Sequence, residues 1–297
     1  MTEWIGYPLS GVCYFEVEAT YGAGFSGSQS RFSDSVIDAR IETGDINMEL
    51  RSISEPSLVG FQKAMVDPTL HIEYIYQPHA GVSAVTYFYT RSGCDLDSMA
   101  IEIGASTCSA ESTYYYLTGC KAKSFTVSGT KGDAYKISVD FSVASLGIYG
   151  TAQGSDPGAI GTDYAMFSEA GSITWAGVTG AYITESFEFT VDNNLSEYYD
   201  VGSTEKVQAI PGARDITGSC DISMDGGGET HFDEVLAATD ITSVKLDTGL
   251  ATGAYGEFEL ENGRFDSTNI DLNTSSEGLM SSVPFTFRGL TFNAGTP

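Results

Sequence analysis

Alternating apolar and polar residues run along much of the chain and predict β-strands. Two clear cases are residues 136–143 (KISVDFSV) and 186–191 (SFEFTV), where apolar and polar residues alternate. Successive strand side chains point to opposite faces, so this period indicates sheets with one buried and one polar face. Apolar residues at helical spacing predict two short helices, at residues 55–65 and 229–238.

The same pattern occurs twice along the chain. Residues 39–50 (ARIETGDINMEL) have a second version at 213–224 (ARDITGSCDISM), in which Ala, Arg, Thr and Gly recur in register. Further matches flank this segment in the same order, which indicates an internal duplication. The flanking matches pair residues 15–17 with 187–189 and residues 139–141 with 283–285.

The duplication predicts a mainly β protein with two tandem β-barrel or sandwich domains, each with one short α-helix. The length suits two domains of about 140 residues. We expect the first domain at residues 1–150, with an insertion at about 67–116, a connecting segment at 151–180, and the second domain at 181–297.

Composition supports a folded chain that does not enter a membrane. Hydrophobic residues make up 41% of the sequence, including 16 Phe and 17 Tyr, so each half can bury a core. No apolar run approaches the roughly 18 residues that a membrane-spanning helix needs. The N-terminal residues lack the basic and apolar regions of a signal peptide, so we expect a soluble protein made without a secretion signal.

The charge is strongly negative, with 40 Asp and Glu against 14 Lys and Arg and a formal net charge of −26. The acids are dispersed rather than gathered in a tail. Dispersed acid suits a protein that works in multimolar salt, where the Debye length falls to about 3 Å or less. The chain therefore suggests a halophilic origin; the alternative is an ordinary acidic surface protein.

The five cysteines have no CxxC pair and no metal-ligand spacing with the three histidines. Cys94 and Cys108 lie in the insertion and could close a loop by a disulfide. The alternative is that all five thiols are reduced. Cys120 and Cys220 are expected to be buried free thiols.

The sequence contains no recognisable catalytic or metal-binding motif. His71 lies in an alternating run and is expected on the polar face of a strand. His231 lies at the start of a predicted helix, so neither histidine needs a catalytic role. The Gly-rich segment 225–229 lacks the Lys and Ser or Thr of a phosphate-binding loop, and residues 192–194 lack the remainder of a calcium loop. We therefore predict no enzyme, no catalytic residue, no metal and no cofactor.

Two motifs of the second half, residues 187–195 (FEFTVDNNL) and 210–219 (IPGARDITGS), are followed by a closing pattern. In this order they resemble the tail tube proteins of long-tailed bacteriophages and archaeal viruses. The resemblance covers about residues 181–292 well and extends more weakly to 15–146, where the loop 19–38 lacks the Asp-Asn-Asn and Pro-Gly elements. The closing pattern comprises residues 258–265 and 282–292.

This resemblance implies a structural virion protein whose β-barrels form rings around a pore for double-stranded DNA. Six domains from three two-domain chains would give a homotrimeric ring with pseudo-six-fold symmetry, and stacked rings would give the tail tube. The implied partners are further copies of the chain, a tape measure protein, and tail terminator or baseplate proteins. The DNA would pass without specific binding, and the protein would be made in the host cytoplasm.

The polar positions of the duplicated strand are candidates for the lumen, although they would equally suit an exterior sheet. The lumen candidates are Asp45, Asn47, Glu49, Ser219, Asp221 and Ser223.

The loops at 19–38 and 192–212 are candidates for contacts between rings, although their composition also describes ordinary loops. Arg40 and Arg214 recur in the acidic repeat, which suggests inter-protomer or turn-fixing ion pairs. The inter-ring residues are Asp192, Asn193, Asn194, Pro211 and Gly212.

Other functions remain open at this stage. Another ring of the same fold, such as a terminator or baseplate hub, would not need to polymerise. A carbohydrate-binding β-sandwich at a cell surface would need an exposed aromatic platform, for which Tyr114, Tyr115 and Tyr116 are candidates. A secreted hydrolase lacks support because no catalytic constellation is present.

Overall fold

The protein is mainly β in the ranges that the structure describes, as the sequence predicts, with a short helix α1 at Ala84–Tyr89. The computed structural model describes residues 13–43, 47–51, 58–63, 67–78, 83–107, 110–161, 164–165, 173–178, 183–201, 205–223, 233–234, 236–247, 255–266, 269–271 and 280–295. The N-terminal strands are β1 (Cys13–Val17), β2 (Ser30–Arg31), β3 (Val36–Glu42), β4 (Asn47–Arg51), β5 (Leu58–Lys63), β6 (Thr69–Ile75), β7 (Arg91–Ser92), β8 (Asp95–Leu96), β9 (Met99–Thr107), β10 (Ala110–Thr130), β11 (Lys136–Ser142) and β12 (Ser145–Tyr149). The C-terminal strands are β13 (Ile173–Ala176), β14 (Ile183–Asp192), β15 (Leu195–Tyr199), β16 (Lys206–Pro211), β17 (Asp215–Ser223), β18 (Asp240–Asp247), β19 (Tyr255–Phe265), β20 (Asn269–Asp271) and β21 (Met280–Gly295).

A long antiparallel sheet runs through both halves of the chain. Within the described residues its strand order is β13-β18-β19-β21-β17-β14-β10-β11-β6-β3, and we call it the long sheet. Strand β10 joins the halves, because it pairs with β11 on one side and with β14 on the other. Strands β13 and β3 lie at its two ends.

A second layer covers part of the long sheet. It follows the order β2-β1-β9-β10-β12, so the 21-residue strand β10 takes part in both layers. The change of layer falls at Gly119, whose φ of 63° is one that residues with a side chain rarely adopt. A Cβ there would lie 2.5 Å from Cβ of Ala144, so the close approach of the layers also requires glycine.

The two halves share one hydrophobic core. Phe125 of β10 contacts Phe189 of β14, and Tyr76, which follows β6, contacts Phe258 and Phe292 of the second half. All five rings are buried. Burying an aromatic side chain of this size contributes about 1.5–3 kcal/mol, so these contacts tie the halves together energetically as well as by hydrogen bonds.

The helix predicted at residues 55–65 is wrong, because Leu58–Lys63 forms strand β5, which pairs with Asn47–Arg51. The spacing of its apolar residues fits a helix, but Val59 and Gly60 have low helix propensity. Strand β4 also offers hydrogen-bonding partners, so this segment forms a strand although the spacing of its apolar residues fits a helix. The short helix of this half is α1, which lies in the predicted insertion.

The helix predicted at residues 229–238 is present in part. Asp233, Glu234 and Leu236 are helical, and the Ala237 amide donates to the Asp233 carbonyl at 2.8 Å. Ala238 ends this turn with a φ of 50°. Leu236, one of the apolar residues whose spacing predicts this helix, is 69% exposed.

The strands matched by the repeat have different neighbours in the two halves. In the second half β17 pairs directly with β14 and β21. In the first half the equivalent strand β3 pairs with β6, which separates it from β11, and β1 pairs with β9. Both β6 and β9 belong to the predicted insertion, so inserted strands lie between the repeated ones. The domain boundaries stay a prediction.

The described cysteines are free thiols: Cys13, Cys120 and Cys220 are buried, and Cys94 is exposed. The possible disulfide from Cys94 is therefore not formed, and Cys108 lies outside the described residues. No helix in the described part of the chain is long and apolar enough to cross a membrane.

Candidate functional site

The outward face of the long sheet carries a band of hydroxyl side chains. Thr126, Thr190, Thr217 and Thr286 lie opposite one another on four neighbouring strands and form one row across the sheet. The Oγ1 atoms of Thr126 and Thr190 are 2.7 Å apart, within hydrogen-bond distance. The hydroxyl band comprises Ser124, Thr126, Ser128, Thr190, Thr217, Ser219 and Thr286.

Strand alternation places these hydroxyls outward. The residues between them, such as Phe125, Val127, Phe189 and Val191, are buried in the shared core. Because one residue in two must face the core, the intervening residues must face away from it. The row of four threonines on this face therefore carries no charge.

Carboxylates lie beside the row of threonines. Glu188 is exposed and lies between Ser128 and Ser219, and Asp192 lies opposite Asp215 at the end of strands β14 and β17. Asp221 accepts a hydrogen bond from the hydroxyl of neighbouring Ser186 at 2.5 Å. The row of threonines is therefore neutral, with carboxylates beside it and with Arg264 opposite Thr286 at its end.

The structure places only part of the predicted lumen set. Ser219 and Asp221 lie on this polar face, as the alternation predicts. Asn47 and Glu49 lie in β4, but their side chains, like that of Ser223 in β17, fall outside the described part. Asp45 lies outside the described residues altogether. That these positions line a lumen stays a prediction.

The residues predicted to contact another ring form the base of a hairpin. Strands β15 and β16 pair with each other, and we call this unit the hairpin (Leu195–Pro211). Asn193 is fully buried, and its amide donates to the carbonyls of Phe88 and Ala122 at 2.8 and 3.0 Å. These bonds anchor the hairpin to the body of the protein.

The remaining residues of this base complete the turn. The Gly212 amide donates to the carbonyls of Asn193 and Asn194 at 3.0 Å, and the Asp192 carboxylate accepts from the Asn194 amide. Pro211 is buried opposite Leu195. A role of these residues between rings stays a prediction, because the contacts described here are within one chain.

Two buried lysines hold the hairpin against the first half of the chain. Lys121 of β10 donates to the Ala209 carbonyl at 2.8 Å and lies 2.6 Å from the Asp95 carboxylate. Lys206 of the hairpin contacts Asp67 and Glu197 at 2.8 and 2.7 Å. Sequence reasoning missed both, although Lys121 stands between two residues that alternation buries and cations are scarce in this chain.

The exposed side of the hairpin carries three apolar residues among polar ones. Tyr198 is 53% exposed, Val207 is 52% exposed, and Val201 at the turn is fully exposed. Exposed apolar residues gathered on one unit are typical of interaction surfaces. The underside of the hairpin is fixed by the lysines.

The two recurring arginines have different surroundings. Arg214 donates to the Tyr89 carbonyl and to Oδ1 of Asn193, and it lies over the Tyr89 ring. Burial, together with the nearby Arg91, lowers its pKa. Arg214 thus braces the base of the hairpin. Arg40 is exposed on the terminal strand β3 and pairs with Asp38 at 2.5 Å.

Two carboxylates hold the loop at residues 19–38 against the first half of the chain. Glu18 accepts the backbone amides of Gly22, Gly24 and Gly119 at 3.0–3.1 Å. Glu16 accepts the amide and hydroxyl of Ser26 at 3.0 and 2.6 Å. This loop is therefore held by buried acids, which the sequence pattern does not indicate.

The described residues contain no cluster of three or more His, Cys, Asp or Glu side chains arranged to hold a metal.

A shallow polar hollow lies over β18, β19 and β21, where Arg264 pairs with Asp240. Tyr114 is buried, so it cannot form part of an exposed aromatic platform.

Comparison with protein families identifies the family of this chain. The family model described as phage tail tube protein matches residues 28–289. The chain belongs to this family. A tail tube protein is a structural component of the virion tail, which is the role that the fold and the resemblance indicate. A search among curated proteins found no match.

Proposed function

We propose that this protein polymerises as stacked homotrimeric rings, with pseudo-six-fold symmetry, into the tube through which viral double-stranded DNA enters the host. The observation that carries this proposal is the row of Thr126, Thr190, Thr217 and Thr286 across the long sheet. DNA affinity is dominated by Lys and Arg contacts to phosphate. A neutral row with acids beside it offers few such contacts, which lets DNA slide.

The ends of the long sheet support closure into a ring. Strands β13 and β3 each have one partner within the described part of the chain. Such edges present backbone groups that can pair with another chain. In the proposed ring, copies of the chain continue the sheet around the channel, and the hairpin with Tyr198 and Val207 contacts the next ring.

The acidic composition supports assembly at high salt. A chain with a net charge of −26 repels its copies in dilute buffer, and salt screens this repulsion. We therefore propose a host that lives at high salt, with a tape measure protein and terminator or baseplate proteins as the further partners.

Electron microscopy of purified protein, dialysed from multimolar to low salt, tests this function. The proposal predicts hollow rings or tubes with three-fold or six-fold views that dissociate as salt is removed. Monomers at every salt concentration would contradict it. Closed rings of one size that never stack would instead favour the alternative, a terminator or baseplate-hub ring of the same fold.

A further inference from the structure

Lys206 lies in an environment that is unusual for a lysine. Its side chain is fully buried, and its Nζ atom donates to Ser142 Oγ at 2.6 Å and to Glu197 Oε1 at 2.7 Å. Nζ also lies 2.8 Å from Oδ1 of Asp67. A buried lysine is costly unless it is paired, and its neutral amine is a nucleophile.

Asp67 lies close enough to Lys206 to react with it, although the two side chains do not form a hydrogen-bonded ion pair. Its Oδ1 atom is buried but accepts no hydrogen bond, so the close approach of Nζ lies outside hydrogen-bond geometry. Because the carboxyl carbon is bonded to Oδ1, Nζ lies within about 4 Å of that carbon. The Asp67 side chain is 44% exposed, which leaves a route for a small product to depart.

Glu197 is positioned to take a proton from Lys206. Its Oε1 atom accepts from both Lys206 Nζ and Ser142 Oγ, at 2.7 and 2.6 Å. Tyr199 lies beside the two carboxylates: burial, followed by the charges of Asp67 and Glu197, raises the pKa of Tyr199 to about 12. Its hydroxyl therefore stays protonated near neutral pH.

We propose that Lys206 and Asp67 form an intramolecular isopeptide bond, with Glu197 as the proton-transfer group. The Lys206 ammonium gives a proton to Glu197, and the Tyr199 hydroxyl, which is hydrogen-bonded to both carboxylates, relays a proton to Asp67, which leaves a neutral amine and a neutral acid. Nζ attacks the carboxyl carbon, its second proton passes to the departing hydroxyl by the same route, and the carbon–oxygen bond breaks with release of water. The ammonium and the carboxylate thus become one amide and one water molecule, with no oxidant or further reactant.

The bond would join the hairpin covalently to the segment before β6. A covalent cross-link between distant parts of a chain restricts the unfolded state and stabilises the fold. It would also hold the hairpin at salt concentrations where ion pairs are screened. This inference does not depend on tube formation, because all the atoms belong to one chain.

The other buried lysine provides a matched comparison. Lys121 is equally buried and lies 2.6 Å from Asp95 Oδ1, but that oxygen also accepts the Leu96 amide, and Nζ further contacts the Ala209 carbonyl and the Tyr21 ring. Among the described residues, no second carboxylate is hydrogen-bonded to this ammonium group. We expect the pair of Lys121 and Asp95 to remain an ion pair.

Mass spectrometry of the intact, fully denatured protein tests the proposal. The expected mass is lower than the sequence mass by one water molecule, and peptide mapping should recover one branched peptide that contains Lys206 and Asp67. The full sequence mass, without a branched peptide, would overturn the bond.

Variants test the assigned roles. K206R keeps a positive charge without the amine nucleophile and should retain its full sequence mass, whereas the matched K121R variant should still lose one water. E197Q should also retain its full mass. A water loss in E197Q would overturn the role of Glu197, and a water loss in K206R would overturn the assignment of the bond to Lys206.

Discussion

The Thr-Gly pair that recurs in the repeat has a packing explanation at Gly218. A Cβ on Gly218 would lie 2.2 Å from the Glu188 carbonyl oxygen and 2.6 Å from the ring of Phe285. The Phe285 ring thus occupies the space above the glycine in the middle of the long sheet. The sequence repeat points to this residue, but only the structure shows what requires it.

Gly218→Ala should destabilise the protein. The added methyl group meets backbone on one side and a buried ring on the other, and overpacking of this kind costs about 1–3 kcal/mol. Denaturant unfolding of the two proteins measures the difference. Gly150→Ala is the matched control, because a Cβ there meets no atom within 4 Å; equal stability of the Gly218 variant and the parent would contradict the packing explanation.

Glu16 should make the stability of the first half depend on pH. Burial acts to raise its pKa, but hydrogen bonds from Ser26, Gly27 and Gln29 outweigh burial, and the net pKa is lowered. A lowered pKa in the folded state contributes stability above the unfolded value of about 4.5. That contribution is lost as the pH falls through the lower, folded value.

Denaturant unfolding at about pH 7 and at about pH 3 measures this effect. The parent should lose stability between these conditions, and Glu16→Gln should start lower and lose less. Parallel loss in the two proteins would contradict the role of Glu16.

At the scale of elements, strand alternation predicts the strands well, and it correctly places Ser219 and Asp221 on a polar face. It fails at β5, because the spacing of Leu58 and Phe61 suits a helix and the pairing with β4 cannot be read from a window of sequence. It also misses the hairpin between Asp192 and Gly212. That segment looked like a loop because its anchoring contacts, such as those of Asn193, join residues far apart in the chain.

The outward face of the hairpin should matter for assembly and not for folding. Tyr198→Asp and Val207→Asp each place a charge on an exposed apolar position, so the stability of the monomer should change by no more than about 0.5 kcal/mol. Both should reduce the yield of tubes measured by sedimentation and electron microscopy. Leu236→Asp is the control, because Leu236 is 69% exposed elsewhere; loss of tubes in this control as well would remove the assignment to the hairpin.

At the scale of the whole molecule, charge and sheet topology work together. The long sheet passes through both halves, so its polar face extends across the molecule, and the row of threonines is a neutral part of a charged face. Arg264 of β19 lies opposite Thr286, and exposed Arg288 lies two residues further along β21. Composition predicts an acidic protein, but this neutral row appears only when the strands are placed side by side.

A positive charge at the centre of the polar face should make assembled tubes retain DNA. Thr217→Lys introduces a phosphate contact in every copy, and such contacts strengthen as salt is lowered. Filtration of tubes with labelled double-stranded DNA, at the lowest salt at which tubes persist, measures retention. Ile148→Lys, at an exposed position in the second layer, is the control; equal retention by the two variants would contradict a lumen role for Thr217.

The most direct test of the central claim is a cryo-electron microscopy reconstruction of the assembled tube. The account predicts a channel bordered by the row of Thr126, Thr190, Thr217 and Thr286, with the second layer on the outside. A tube in which this row faces outward, or lies away from the channel, would contradict it.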